Sequence, residues 1–347
     1  FLGEFALARV HFEQGIALYD SQLQRTSTSV SGQDLGAPCR ANEGYVLWLL
    51  GYPDQALKRS NEALTLTQGL VHPLSHGLAL VGADTVHNFR REGQVAQELA
   101  EAGISLATEH GLPFLLTAGF IHRGWALAQQ GQTEEGIAQI HKGLTASRAT
   151  GTEAYRAAYL GCLTEAYRVA NQPEEGLPTL VEALAVVERT GERWWEAELY
   201  RFRGELTLQQ ENQKAKIETD PRPLTPDPQG EAEACFLKAI EIAQKQQARS
   251  WELRAVMSLV RLRQQQATRD ASRTTQHEAR TKLDAAHNML SEIHNWFTEG
   301  FDTKDLQEAR MLLAELKEKA TVTPGEKRKS TGKRYARPTK QPPVKNT

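Results

Sequence analysis

Apolar positions along this chain recur in helical stripes, and the stripes themselves recur in blocks. Leu64, Ile104, Leu144 and Leu184 are spaced by forty residues, and Ile240 follows after 56. The residue before each is small: Ala63, Gly103, Gly143, Ala183 and Ala239. Eight residues before each is another small one: Ala56, Ala96, Gly136, Gly176 and Ala232. Two residues after each is apolar: Leu66, Leu106, Ala146, Val186 and Ile242. Spacings of seven and eight return to one face of a helix, so these columns predict five copies of one amphipathic helix. A glycine inside a helix costs roughly 1 kcal/mol against alanine. Gly136, Gly143 and Gly176 therefore predict a face on which a neighbouring backbone comes close. The pattern is plainest over 132–192, where Glu134-Glu135-Gly136-Ile137 returns as Glu174-Glu175-Gly176-Leu177.

A first helix is expected before each copy, at about 38–50, 74–91, 114–130, 153–170 and 193–210. Breakers mark the turns within pairs: Gly51-Tyr52-Pro53, Gly93-Gln94, Gly131-Gln132 and Asn171-Gln172-Pro173. Pro73 and Pro113 stand where new helices start, a position that tolerates proline. The step of 56 is read as forty plus an insertion, 212–230, whose Pro221, Pro223, Pro226 and Pro228 predict a loop. Two helices are expected at roughly 251–267 and 271–297, and a last one over 302–318 that caps the open end of the stack. Gly3 to Gln24 reads as one helix of the second type. Its partner would precede Phe1, and with no initiator Met the chain is expected to be a piece of a longer protein. Short turns make antiparallel hairpins. The expected fold is an all-α, right-handed superhelical solenoid of about seven hairpins spanning 1–320, each stable only when stacked on the next.

Composition refines this picture. Apolar residues make up 40% and charged residues 24%, which suits a folded body. Sequence runs long and apolar enough to cross a membrane are absent, and the N-terminus lacks a signal-peptide pattern. Cys39, Cys162 and Cys235 are scattered and form no CxxC pair, which fits a reducing compartment and a cytoplasmic location. The net charge of −2 hides an asymmetry: residues 1–320 carry 33 basic and 42 acidic residues, whereas 321–347 carry eight basic and one acidic. That proline-containing tail is expected to be disordered. Its basic character leaves open a contact with nucleic acid or anionic lipid, beside the plainer role of a solubilising terminus.

Candidate chemistry is sparse. Ser330-Thr331-Gly332-Lys333 lacks the upstream glycine and strand context of a phosphate loop. His277-Glu278 begins a metalloprotease-like string, but Thr281 stands where the second histidine belongs. His72 and His76 are split by Pro73 and have no third ligand nearby. The glutamate pairs 134–135 and 174–175 suit the first turn of a helix. We expect no catalytic residue, metal or cofactor. Trp195 and Trp251 occupy equivalent places, shared with Tyr155 and Leu115, and read as core packing. Trp194 breaks its own column and is the best candidate for an exposed partner-binding anchor, against the plainer reading as a packed side chain. Arg123, Arg156, Arg201 and Arg203 lie on first helices and are candidates to line an inner binding surface, against a solvated charged face.

Three stretches carry a resemblance: Leu49-Leu50-Gly51-Tyr52-Pro53-Asp54-Gln55-Ala56-Leu57, Glu192-Arg193-Trp194-Trp195-Glu196-Ala197-Glu198-Leu199-Tyr200-Arg201, and Trp296-Phe297-Thr298-Glu299-Gly300-Phe301-Asp302. They resemble the tetratricopeptide-like C-terminal region of bacterial multidomain signalling ATPases. In that family a class III adenylate or guanylate cyclase, a kinase or a DNA-binding domain precedes a P-loop ATPase. The resemblance covers about residues 1–318 and departs at the proline-rich insertion, near 271–294 and in the tail. It implies a non-catalytic protein-interaction and regulatory module whose partner is another protein or the upstream domains. The alternatives are a piece of a cyclase or ATPase enzyme named for its upstream activity, or a nucleic-acid-binding protein acting through the tail. The period of forty exceeds the 34 of a standard tetratricopeptide repeat, so that repeat's groove positions do not carry over.

Overall fold

The computed structural model describes residues 2–19, 35–68, 72–151, 153–217, 227–269 and 276–321. Among them lie fourteen helices and no strand. A single helix, α1 (Phe5–Ala17), comes first. Six hairpins follow: α2 (Gly36–Leu49) with α3 (Pro53–Gln68), α4 (Pro73–Phe89) with α5 (Gly93–His110), α6 (Pro113–Gln129) with α7 (Thr133–Thr150), α8 (Arg156–Val169) with α9 (Pro173–Thr190), α10 (Glu196–Ile217) with α11 (Pro228–Gln246), and α12 (Arg249–Arg269) with α13 (Gln276–Trp296). A last single helix, α14 (Lys304–Thr321), closes the series. The hairpins stack in order as a helical solenoid.

The forty-residue period is written into the backbone. Gly51, Arg91, Gly131 and Asn171 all take the left-handed conformation just after a first helix. Gly111, Gly151, Gly191 and Gln247 do so after second helices. The turns within hairpins share one hydrogen-bond pattern. Gly51 N donates to Trp48 O at 3.0 Å and Tyr52 N to Leu47 O at 2.9 Å; Gly131 and Gln132 repeat this on Ala128 and Leu127, both at 3.0 Å. These bonds satisfy carbonyls that a helix end leaves open.

Small residues mark where the two helices of a hairpin cross. A Cβ added at Gly136 would stand 2.6 Å from Gly124 O and 2.9 Å from Ala128 N. A Cβ at Gly44 would lie 3.3 Å from Ala56 O. Gly124 and Gly136 thus let α6 and α7 approach backbone to backbone, and the apolar neighbours Ile140 and Leu144 are buried beside them. Gly103 differs: its added Cβ meets nothing within 4 Å.

The stack does not stay open. Its two ends meet, so the inner face of the solenoid is filled by its own aromatic side chains. Trp48 on α2 lies edge-on to Trp251 on α12, with ring centroids 4.9 Å apart. Phe89 packs on Trp48, Trp125, Trp195 and Trp251. Ser250 Oγ donates to Trp48 O at 2.5 Å, and Arg254 Nη2 donates to Phe89 O at 2.6 Å. Glu299 joins the ends at α3: its Oε1 accepts from both Asp54 N and Gln55 N at 3.0 Å. A carboxylate 245 residues away thus supplies the N-terminal cap that α3 lacks locally.

Several sequence expectations need correction. The insertion expected over 212–230 is helical at both ends: α10 continues to Ile217 and α11 begins at Pro228. The prolines start only at 221, so nothing upstream of them interrupts the helix, and Pro228 sits where a helix start accepts it. Residues 218–226 lie outside the described ones, as do 322–347, the basic tail. Gly93 opens α5, and Arg91 makes the turn instead. The N-terminal helix ends at Ala17, short of Gln24. The last helix, expected over 302–318, spans Lys304–Thr321. It packs on α13 and α12 and also reaches back to the first repeats, so it closes a ring as well as covering an end.

Candidate binding cavity and closing seam

On the inner face, residues forty apart come together. Asn42, Gly82, His122 and Cys162 occupy one column and line a cavity of about 130 Å³. Tyr45, Phe114, Tyr155, Tyr159, Trp194 and Trp195 line it with them. Asn42, Tyr45, Phe114 and Tyr155 are half-buried and form the rim; His122, Tyr159, Cys162, Trp194 and Trp195 are buried and form the floor. The rings pack on each other: Tyr45 and Trp194 at 5.7 Å, Tyr155 and Tyr159 at 5.9 Å, Tyr155 and Trp194 at 6.4 Å.

Two carboxylates stand one side chain behind this wall. Asp84 Oδ2 pairs with His122 Nδ1 at 2.8 Å, and its Oδ1 accepts from Asn88 Nδ2 at 2.5 Å. Glu192 Oε1 accepts from Trp194 Nε1 at 3.1 Å and from Ala158 N at 3.3 Å. Burial raises both carboxyls above their ordinary range, against the lowering pull of those partners. Burial also pushes Tyr155 up to about 12 and Tyr45 and Tyr159 higher still, and it raises the Cys162 thiol well above its ordinary range. The wall therefore presents neutral hydroxyls and an inert thiol at neutral pH. No Lys or Arg lines it.

The second cluster is ionic and sits at the seam. Arg91 Nη1 meets Glu308 at 2.6 Å and Asp305 at 3.3 Å, and Arg254 Nε meets Asp305 at 2.7 Å. Arg90 Nη2 reaches Asp302 at 3.3 Å, and Asp54 Oδ2 accepts from Gly300 N at 3.0 Å. Deeper in, Arg201 bridges Glu198 and Glu205, each at 2.6 Å, and Ser258 Oγ donates to Glu205 at 2.7 Å. Burial acts to raise Glu205, but the charges of Arg201 and Arg168 outweigh it and hold its carboxyl down to about 2.

The expected site residues land in different places. Trp194 is 5% exposed and is not an exposed anchor. The two tryptophans lie in the turn before α10, not on a helix, so the 100° separation of helical neighbours does not apply and both point inward. The four arginines do not form one inner surface. Arg123 pairs with Glu101 and Glu135, Arg156 with Glu182 and Arg203 with Glu231, all on second helices. Arg201 is buried in the ionic cluster. His72 caps α4 by accepting from Ser75 N at 3.3 Å, and His76 Nδ1 bonds Thr67 Oγ1 at 2.9 Å. Among the described residues no group of His, Cys, Asp and Glu could hold a metal ion, and no helix is long and apolar enough to cross a membrane.

Sequence reasoning missed the cavity column and the seam. A signal existed for both. Asn42, Gly82, His122 and Cys162 keep the forty-residue spacing, and the three stretches 49–57, 192–201 and 296–302 converge at the ring closure.

Fold and cavity together define a helical-repeat protein with an aromatic-lined inner cavity. No family model matches the chain. Over 263 residues it is 26% identical to an uncharacterized protein of Rhizobium meliloti (strain 1021), covering 74% of this chain and 24% of that protein. The chain thus spans about a quarter of that relative's length. Among solved structures it is similar to the apo form of RapI, with 10% identity, 81% of this chain and 91% of that chain covered, and a TM-score of 0.43. A signal transduction ATPase with numerous domains and a tetratricopeptide repeat sensor, from Pyrococcus horikoshii, matches at 13% identity, 91% of this chain, 47% of that chain and a TM-score of 0.45. The TPR2AB domain–pHSP90 complex of yeast Sti1 matches at 16% identity, with 81% of this chain and 98% of that chain covered and a TM-score of 0.28.

Proposed function

We propose that this chain is a non-catalytic interaction and regulatory module of a larger cytoplasmic signalling ATPase. The observation that carries the reading is the ring itself. A stack of hairpins closes on its own first repeats through a charged seam, around a cavity that holds neutral, hydrogen-bonding side chains and no activated nucleophile. Such a closed ring has two natural arrangements, seam made and seam broken, and a ligand or partner that favours one shifts the balance. The upstream domains would read that shift. The three resembling stretches lie at the seam, which is where a regulatory contact belongs.

The test has two parts. The coding sequence upstream of Phe1 should contain a Gly-x-x-x-x-Gly-Lys-Ser/Thr loop between a strand and a helix; a reading frame without one removes the ATPase context. Arg91→Glu then sets like charges across the seam. In the whole polypeptide it should change the ATP hydrolysis rate several-fold, while residues 1–347 alone turn over no ATP. An unchanged rate, or turnover by the isolated chain, overturns the reading.

A further inference from the structure

We infer that the inner cavity is a recognition site for a small organic ammonium ion, a quaternary or fully methylated amine about the size of tetramethylammonium. The inference rests on reading the cavity as the sensing site of the module, and four observations support it. First, six aromatic side chains line the cavity, four of them, Tyr45, Tyr155, Tyr159 and Trp194, held by mutual packing. Aromatic faces attract cations, most strongly when water is excluded. Second, no Lys or Arg lines the cavity, although the chain has 41 of them. The one lining group able to carry positive charge, His122, is tied to Asp84.

Third, Asp84 and Glu192 stand directly behind the wall. Each carries a buried carboxyl that its hydrogen bonds compensate only in part, as the raised titration of both indicates. A monovalent cation in the cavity would offset that desolvation. Fourth, the size fits. A protein cavity of about 150 Å³ accommodates benzene, and this one, at about 130 Å³, suits a trimethylammonium head. The half-buried rim formed by Asn42, Tyr45, Phe114 and Tyr155 provides the way in. A neutral apolar guest of equal shape would gain the same contacts but none of the charge complementarity, and that difference is measurable.

The experiment is a calorimetric titration of residues 1–347 with choline and, in parallel, with its uncharged isostere 3,3-dimethyl-1-butanol, at matched ionic strength. Choline should bind saturably and at least tenfold more tightly than the isostere. Tyr155→Leu, on the rim, should weaken choline several-fold. Glu192→Gln, which keeps the shape and removes the charge, should weaken choline and leave the isostere unchanged. Circular dichroism of each variant checks folding, and if Tyr155→Leu unfolds, Phe114→Leu takes its place. Equal binding of the two probes, binding of neither, or choline binding insensitive to both variants overturns the assignment. The Arg91→Glu assay on the whole polypeptide is independent of this titration. Failure of the ligand assignment therefore leaves the regulatory reading standing, and failure of that reading leaves the binding result intact.

Discussion

The column of small residues shows how far a single position can be read. Gly103 and Gly143 hold the same place in successive repeats. A Cβ at Gly143 runs into Ile121 and stands 3.1 Å from Thr117 O; one at Gly103 meets nothing within 4 Å. At the hairpin crossing, a Cβ at Gly136 would meet backbone atoms that cannot yield. Gly103→Ala should therefore stabilise the protein by about 0.5–1 kcal/mol through helix propensity. Gly136→Ala should destabilise it by about 1–3 kcal/mol through overpacking. Urea unfolding of both variants checks the pair, and shifts of the same sign would refute the argument. Leu144, 4% exposed, follows Gly143 and belongs to the buried stripe between hairpins. Leu144→Asp buries an unpaired charge and should destabilise the protein by several kcal/mol, with loss of helix content by circular dichroism. Trp194 marks the limit of such reading. Its counterparts are Ala154, Phe114 and Ser250, a mixed column that gives no direction, and only the turn before α10 decides which way the ring points.

At the scale of elements, helix ends explain more than helix bodies. Helix α3 begins with Pro53, as α9 and α11 begin with Pro173 and Pro228, but it takes its cap from Glu299 in the 297–303 loop. Glu299→Ala should cost about 1 kcal/mol. It should also speed amide exchange at the first turn of α3, 245 residues distant in sequence. Exchange that quickens only around residue 299 would contradict a capping role. Arg91 makes a similar point. Its place is taken by Gly51, Gly131 and Asn171 in the sister repeats, residues that adopt positive φ readily. Arginine is strained there, and its side chain is the one that reaches Asp305 and Glu308 on α14. The strain is offset by ring closure.

For the molecule as a whole, the ring rests on ionic contacts between chain segments far apart. Arg91→Glu should part the seam and raise the radius of gyration by small-angle scattering while helix content stays constant. An unchanged radius would show that the aromatic core alone holds the ring. The buried cluster predicts an acid response. The Glu205 carboxyl has an ordinary value of 4.5 and is held down to about 2 in the folded protein. Its stabilising contribution, on the order of 3 kcal/mol, is complete above about pH 4.5 and fades as pH falls toward 2. Glu205→Gln should be less stable than the parent at neutral pH, with the difference shrinking through that window. A difference that is constant with pH would refute the linkage.

Helix number, hairpin pairing, the forty-residue period and the buried stripe were legible in the chain, because each depends on neighbours within one or two turns or on a repeated spacing. Ring closure, the cap from Glu299, the inward Trp194 and the cavity were not. They depend on the small rotation between successive hairpins. Summed over six of them, that rotation decides whether the inner face opens to solvent or meets itself, and no local pattern of residues encodes the sum.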